Sequence, residues 1–204
     1  MDAAEAIDAR EHYDLLIVED NDPVRDPAPL RDYMEKYDGE SFLEALELSP
    51  DKTALEIGIG TGRLAVRTAP RCRRLVGIDF SPRTIGRARE NLAHLANVEL
   101  VCDDFLTHDF REKFDVVYSS LTLMHFADKR GFLSKACSLM ARGAVLCLSL
   151  DKDRQEYIDF GSRRIRIYPD DAEKIERYMK EENLKNVRRF ETELADIVVG
   201  KKAE

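Results

Sequence analysis

The sequence predicts an α/β protein with a doubly wound, mostly parallel seven-stranded sheet, helices on both faces and an antiparallel C-terminal strand. Two observations lead to this fold class. Between about residues 50 and 150, short apolar segments alternate with helical patterns, which is typical of a parallel sheet covered on both faces. After that alternation ends, residues 187–193 and 195–199 suit two antiparallel strands.

Length and composition agree with a single globular domain that carries short additions. The chain has 204 residues, of which 44% are hydrophobic and 35% are charged. Its 40 acidic and 32 basic residues give a formal net charge of -8. Because an acidic surface is a poor match for a phosphate backbone, this charge disfavours a nucleic-acid partner, although a local basic patch would permit one.

The cysteines and the start of the chain add no further chemistry. Cys72, Cys102, Cys137 and Cys147 form no CxxC pair and join no histidine cluster, so we expect reduced, buried thiols and no metal site. The acidic first residues lack the features of a signal peptide, and no apolar run approaches membrane-spanning length. We therefore expect a cytoplasmic protein without a membrane segment.

Residues 1–50 precede the first clear strand, and we interpret them as an N-terminal lid or cap segment. Prolines between residues 21 and 29 force extended or turning backbone. From about Leu30 the apolar pattern suggests a helix that is broken near Gly39. The main domain then occupies residues 51–204.

Strands and helices are predicted in regular alternation along the main domain. The predicted strands cover residues 53–57, 74–79, 98–102, 114–118 and 144–150. The predicted helices cover residues 62–69, 82–95 and 129–140. A hairpin insertion is predicted near residues 155–168, and a helix over residues 170–184 follows it.

The strongest functional signal is the segment L-E-I-G-I-G-T-G at residues 55–62, between the first strand and the first helix of the alternation. Its three glycines let the backbone turn sharply and let a ligand approach without meeting a Cβ atom. Such a turn is the usual crevice for a nucleotide-like ligand. Arg63 stands where the dinucleotide fingerprint needs a glycine, and no GKS or GKT follows, so we prefer a ligand without a pyrophosphate.

The second signal is Asp79, which ends the second strand of the alternation. An acid at this place can accept both hydrogen bonds from a ribose diol. The alternative is a helix N-cap before Pro82, although Ser81 fits that role better.

These residues resemble the class I, Rossmann-like S-adenosylmethionine-dependent methyltransferases, closely over about residues 50–150 and more loosely over the tail. The resemblance implies S-adenosyl-L-methionine as the cofactor and methyl transfer as the reaction. It implies that Asp79 holds the ribose hydroxyls and that Phe80 lies beside the adenine. The methionine part and the adenosine would lie along Glu56, Gly58, Gly60 and Gly62.

Two further segments resemble family positions. Asp103 and Asp104 follow the third strand, where the family has an acid that binds the adenine amino group, and Asp103 aligns with that acid. Ser119 lies in the segment that resembles the fourth strand, near the expected methionine end. His125 is the histidine that remains in the following loop, and it is the candidate base or acceptor contact. A loop histidine that simply packs is the alternative.

The resemblance also implies how the acceptor is methylated. The sulfonium of the cofactor already activates the methyl group, so the enzyme mainly aligns an acceptor for direct in-line displacement and excludes water. A general base is required only if the acceptor must lose a proton.

The acceptor site is expected beyond the carboxyl ends of the strands, where ligands of open α/β sheets bind. That placement nominates Tyr33 and Tyr37 in the N-terminal segment, and Arg164 and Arg166 on one face of the predicted hairpin. This basic face could hold an acidic substrate, and the favoured alternative is a solvated strand face. The family's Asn-Pro-Pro-Tyr type of signature is missing after the fourth strand, which favours a small-molecule acceptor. Two alternatives stay open: a non-catalytic S-adenosylmethionine-binding sensor or partner subunit, and an NAD-dependent oxidoreductase.

Overall fold

Ten strands lie within residues 5–204, which are the residues that the computed structural model describes. In chain order they are β1 (Glu5–Ile7), β2 (Thr53–Ile57), β3 (Arg74–Asp79), β4 (Val98–Cys102), β5 (Phe114–Ser120), β6 (Met140–Asp151), β7 (Tyr157–Asp159), β8 (Arg163–Arg166), β9 (Lys185–Glu191) and β10 (Ala195–Lys201).

Seven of these strands form the central sheet, in the order β4-β3-β2-β5-β6-β10-β9. The first five pair in parallel, and β10 pairs antiparallel with both β6 and β9. The predicted fold class is therefore confirmed. The winding direction reverses between β2 and β5, and a doubly wound sheet opens its ligand crevice at such a reversal.

Helices cover both faces of this sheet. They are α1 (Ala9–Val18), α2 (Ala28–Glu35), α3 (Gly39–Ala45), α4 (Ala65–Thr68), α5 (Pro82–Asn91), α6 (Lys129–Ser138) and α7 (Ala172–Glu181). Every residue of β2 is buried, because one face of the strand contributes Leu55 and Ile57 to one apolar cluster while Ala54 packs in the cluster on the other face.

Two helix starts illustrate how local residues set the boundaries. At α5 the Ser81 side chain accepts a hydrogen bond from the Thr84 amide and Pro82 opens the first turn. The helix predicted from Gly62 begins three residues later, at Ala65. The reason is that Gly60 and Gly62 have φ angles of +58° and +98°, which a right-handed helix does not allow.

A second, three-stranded sheet stands apart from the central one, in the order β1-β8-β7. β7 and β8 pair as an antiparallel hairpin within the insertion predicted near residues 155–168, and β1 adds to β8 in parallel. Ile165 and Ile167 of this insertion are buried against Met124, in the loop after β5. The sequence did not predict β1, so the link between the N-terminal segment and the insertion is a finding of the structure.

The N-terminal segment contains one unpredicted helix and two that match the expected break. α1 was not predicted, whereas the break between α2 and α3 falls at residues 36–38, directly before Gly39. Phe42 of α3 is fully buried and meets the Tyr118 ring edge-on, so α3 belongs to the core of the domain. Residues 1–4 lie outside the described residues, and a lid role for residues 1–50 stays a prediction.

The cysteines are free thiols, of which Cys72, Cys137 and Cys147 are buried. The expectation that all four are buried was wrong for Cys102, which is exposed because it ends β4 at the edge of the sheet. Burial raises the pKa of the Cys72 thiol to about 11. Within residues 5–204, His, Cys, Asp and Glu side chains form no group of three that could hold a metal ion. None of the helices described here has the length and apolar character that crossing a membrane requires.

Candidate active site

A cavity of about 740 Å³ lies beyond the carboxyl ends of the parallel strands, where the winding direction reverses. This volume is typical of a small-molecule or cofactor site. Seven of the nine residues predicted to bind the cofactor line it, namely Glu56, Gly58, Gly60, Asp79, Phe80, Asp103 and Asp104. The crevice that the sequence predicted is thus a real concavity in the fold.

The glycine turn serves the cavity in two different ways. A Cβ atom added at Gly60 would meet no heavy atom within 4 Å, so this backbone is open to a ligand. A Cβ atom added at Gly62 would lie 2.9 Å from the Leu92 side chain. Gly62 does not line the cavity, because its missing side chain makes room for the chain that follows α5.

Asp79 is held in place by the backbone around it. Its two carboxylate oxygens accept hydrogen bonds from the Gly60 amide at 3.1 Å and from the Ser81 amide at 3.0 Å. Burial raises the pKa of Asp79. Each carboxylate oxygen can accept a second hydrogen bond, so Asp79 can take both hydroxyls of a ribose diol while it keeps these two contacts.

Glu56 is a buried acid that faces the same cavity. Its side chain is only 3% exposed, and the Tyr118 hydroxyl donates a hydrogen bond of 2.8 Å to it. The Tyr118 hydroxyl also contacts the Thr68 hydroxyl at 2.8 Å. Burial raises the pKa of Glu56 to about 8. A ligand that brings a positive charge to this end of the cavity would stabilise the ionised carboxylate.

Asp38 ties the N-terminal segment to the glycine turn. It is fully buried and accepts hydrogen bonds from both terminal nitrogens of Arg63, at 3.0 and 2.5 Å, and from the Ser120 hydroxyl at 2.7 Å. Burial alone would raise the pKa of Asp38, but the Arg63 guanidinium outweighs it and lowers the value. Both Arg63 and Ser120 line the cavity, so this ion pair forms part of its wall.

The expected adenine side contains Phe80 and the two aspartates after β4. Asp103 forms a hydrogen bond of 2.9 Å with His108 Nδ1, and this contact lowers the pKa of Asp103. The Arg10 guanidinium lies 5.7 Å from the centre of the Phe80 ring. An aromatic face beside a carboxylate suits a flat, amino-bearing ring.

In the same cavity, Tyr13 from α1 meets His125 from the loop after β5, and the centre of the Tyr13 ring lies 6.2 Å from that of Phe80. The Tyr13 hydroxyl lies 2.8 Å from His125 Nε2, and both residues line the cavity. Burial, together with the nearby Lys129 charge, lowers the pKa of His125 to about 4. The imidazole is therefore neutral near pH 7, and its Nδ1 atom is buried without a hydrogen-bond partner among the described residues.

Several predicted site residues lie outside the cavity lining. The Ser119 hydroxyl donates a hydrogen bond of 2.8 Å to the Ile57 carbonyl, and the neighbouring Ser120 faces the cavity instead. The hydroxyls of Tyr33 and Tyr37 contact each other at 3.2 Å, and Met34 is the residue of α2 that reaches the cavity. An acceptor role for the two tyrosines stays a prediction.

The two arginines predicted to contact the substrate lie on the outward face of the hairpin. The Arg164 guanidinium lies 4.6 Å from the centre of the Tyr157 ring, and the Arg166 guanidinium lies 5.3 Å from that of Tyr168. Neither arginine lines the cavity, and a contact to the acceptor stays a prediction for both.

The sequence interpretation missed the residues that α1 contributes. Asp8, Arg10 and Tyr13 all line the cavity. A signal for this helix was present, since Asp8 and Glu11 have the spacing of a capping box and the Asp8 side chain accepts a hydrogen bond from the Arg10 amide. From the sequence we predicted no helix or strand over residues 5–18, where α1 lies.

A known protein family matches the part of the chain that builds this cavity. Residues 54–143 match the family described as a methyltransferase domain, and this range includes the glycine turn, Asp79, Asp103 and His125. Residues 54–143 are thus a methyltransferase domain, and the chain has the fold of solved S-adenosylmethionine-dependent methyltransferases. The predicted family is therefore confirmed.

Solved structures and curated relatives agree with this assignment. The methyltransferase domain shares its fold with the N-methyltransferase NodS from Bradyrhizobium japonicum in complex with S-adenosyl-L-homocysteine, at a TM-score of 0.70 and 19% identity over 96% of this chain and 98% of that one. A probable ribosomal RNA small subunit methyltransferase A from Methanosarcina acetivorans is 38% identical over 77 residues, which are 38% of this chain and 28% of that relative. Phosphoethanolamine N-methyltransferase 1 from Arabidopsis thaliana is 31% identical over 98 residues, which are 45% of this chain and 20% of that relative. The matches thus span less than a third of the length of either curated relative.

Proposed function

We propose that this protein transfers a methyl group from S-adenosyl-L-methionine to a small-molecule acceptor by direct in-line displacement. The observation that supports the acceptor side is the contact between Tyr13 and His125 in the cavity that also contains the family's cofactor residues. A buried polar pair in a cofactor cavity can orient an acceptor atom by hydrogen bonds.

The residues of the cavity fit the cofactor. Asp79 offers a carboxylate to the ribose, and Phe80 with Asp103 offers an aromatic face and an acceptor to the adenine. Glu56 offers a buried carboxylate to the ammonium of the methionine part. When bound, S-adenosylmethionine supplies a methyl group that is already activated by a sulfonium.

The chain's own contribution to the reaction is orientation and exclusion of water. The neutral imidazole of His125 and the Tyr13 hydroxyl can hold an O–H or N–H acceptor by hydrogen bonds. Because the pKa of His125 is about 4, the imidazole suits hydrogen bonding better than the removal of a proton from a weakly acidic group. α1 lines the cavity with Ala9, Arg10 and Tyr13, so it can limit the access of water.

The charges around the cavity favour a neutral or cationic small molecule over a nucleic acid. Arg10 and Arg63 are its basic lining residues, and Arg63 is already neutralised by Asp38. The acidic lining residues are more numerous, namely Asp8, Glu56, Asp79, Asp103 and Asp104. A phosphate backbone would be repelled by such a lining. Two of the three relatives named above are N-methyltransferases, which makes small amines the first acceptors to test.

A methyl-acceptor screen with isotopically labelled S-adenosylmethionine tests the proposal. The panel contains small amines, alcohols and thiols, together with ribosomal RNA fragments, and Tyr13→Phe serves as the matched variant. We expect label on a small molecule and less label with the variant. Label on RNA alone would overturn the small-molecule assignment. Cofactor binding with no turnover on any acceptor would favour the sensor alternative, and binding of NAD without S-adenosylmethionine would favour the oxidoreductase.

A further inference from the structure

An ionic cluster around Arg163 joins α1 to the hairpin. Arg163 of β8 donates from Nε to His12 Nδ1 at 3.0 Å, and from its two terminal nitrogens to the two carboxylate oxygens of Glu19 at 2.6 Å each. Arg163 is only 8% exposed, so these are contacts of a buried guanidinium. All of its nitrogens have partners in α1 or at the end of that helix.

The cluster is reinforced by ring packing. Phe160, at the tip of the hairpin, lies 4.2 Å from the His12 ring by the distance between ring centres. The Arg163 guanidinium lies 5.7 Å from the centre of the Phe160 ring. His12 is itself buried, with 1% of its surface exposed. A buried arginine that pairs with His12 and Glu19 and packs on the Phe160 ring is a specific contact, because losing either pairing would leave a buried polar group without a partner.

Arg163 contacts α1 near both of its ends. His12 lies in the first half of the helix, and Glu19 is the residue that caps its C-terminus. On the other side of the helix, Asp14 accepts a hydrogen bond of 2.7 Å from the Ser81 hydroxyl at the start of α5. α1 is therefore bonded to the hairpin through Arg163 and to the start of α5 through Asp14.

Tyr13 lies between these two fastening points. It follows His12 and precedes Asp14, and its hydroxyl meets His125. The inner face of the hairpin, in turn, packs on Met124, the residue before His125. Arg163 thus connects the two segments that present the two members of the acceptor-side pair.

We propose that Arg163 is a positioning residue of the active site, which holds α1 against the hairpin and so sets the Tyr13 hydroxyl against His125. α1 lines the cavity through Ala9, Arg10 and Tyr13, and the hairpin β7–β8 packs behind α1 without lining the cavity itself. We call α1 and the hairpin behind it the roof, and Arg163 is the contact that holds the two together. The proposal rests on the proposed function for the meaning of the Tyr13–His125 pair, but closure of the roof is measurable without any acceptor.

Hydrogen exchange of the free protein, followed by mass spectrometry, tests closure directly. With Arg163→Met we expect the amides of residues 9–18 to exchange at least about tenfold faster, while those of β2 and β5 keep their rates. Arg166→Met is the matched control, because Arg166 lies on the same strand with its side chain on the opposite, exposed face. Glu19→Gln is the milder variant, since Glu19 is half-exposed and removing its charge leaves the core untouched.

A second measurement reports on the acceptor-side pair itself. In the wild-type protein the imidazole of His125 should titrate near pH 4 by NMR, and in Arg163→Met it should titrate at least one pH unit higher, because the unlatched roof exposes the ring to water. The dissociation rate of S-adenosylhomocysteine should rise by about tenfold or more in the same variant. Arg166→Met should change neither quantity.

Unchanged exchange over residues 9–18 in both Arg163→Met and Glu19→Gln would overturn the proposal. So would faster exchange that extends equally to β2 and β5 in Glu19→Gln, because Arg163 would then stabilise the whole fold and not the roof. A protein that binds no S-adenosylhomocysteine would contradict the proposed function alone, since the exchange and NMR measurements need no cofactor.

Discussion

We predict that Glu56 releases a proton when the cofactor binds. Burial raises the pKa of its carboxyl from 4.5 to about 8, so the group is about nine tenths protonated at pH 7. That shift corresponds to a cost of about 5 kcal/mol for holding the charge in the free cavity. If the ammonium of the cofactor returns the pKa of Glu56 to its ordinary range, binding at pH 7 should release about 0.9 proton.

The same linkage fixes the pH dependence of affinity. The ionised fraction of Glu56 in the free protein rises from about 1% at pH 6 to about 50% at pH 8, so cofactor affinity should rise about 50-fold over that interval. In the free protein the opposite trend applies to stability. The folded state keeps a proton between about pH 4.5 and 8 that the unfolded chain has lost, so the free energy of unfolding should fall as the pH rises through this window.

Calorimetry with S-adenosylhomocysteine in two buffers of different ionisation enthalpy measures the released proton, and a pH series of thermal melts measures the stability. Glu56→Gln should release no proton, and its affinity should not vary between pH 6 and 8. Glu173→Gln, at an exposed position in α7, is the control and should behave as the wild type. A wild-type affinity that is flat from pH 6 to 8, with equal binding heats in the two buffers, would refute the assignment of Glu56 to the ammonium.

Three further variants test the rest of the cavity. Asp79→Asn should weaken binding of S-adenosylhomocysteine by about 10- to 150-fold, or about 1.5–3 kcal/mol, because charge-assisted contacts to the ribose are lost. If calorimetry shows an unchanged affinity, Asp79 has only a structural role. Tyr13→Phe should keep cofactor affinity within about twofold and lower turnover at least about tenfold. The double variant with His125→Asn should turn over only slightly more slowly than Tyr13→Phe, because the two residues act as a unit. Additive losses in the labelled-methyl assay would contradict that pairing. Replacing Arg164 and Arg166 together by alanine should leave cofactor affinity within about twofold, because neither lines the cavity; loss of calorimetric binding in a folded variant would disprove this placement.

The cofactor half of the site was readable from sequence because its determinants are local. Gly58 and Gly60 follow one clearly apolar strand and Asp79 ends the next, and parallel strands bring their carboxyl ends to one edge of the sheet. The sequence does not determine which of two neighbouring residues faces the cavity where a strand ends. Ser119 was the predicted cofactor residue, but only its neighbour Ser120 lines the cavity.

The acceptor half depends on contacts between distant segments, which no periodicity encodes. Alternation along the hairpin correctly separates Ile165 from Arg164 and Arg166, and it also places Arg163 on the buried face. A buried arginine is expected only where partners exist, and its partners His12 and Glu19 lie in a helix that the sequence interpretation had not recognised. The fold class was therefore predictable, whereas the roof was not.

The separation between α1 and Arg163 has a consequence for how the protein is made. His12 and Glu19 leave the ribosome long before Arg163, to which they bond across 151 and 144 positions of the chain. Contacts of such long range form late, because a large loop must close first. During synthesis the glycine turn and Asp79 are thus complete while their cover is still missing. α1 would therefore be held in place beside the glycine turn only once β8 has left the ribosome.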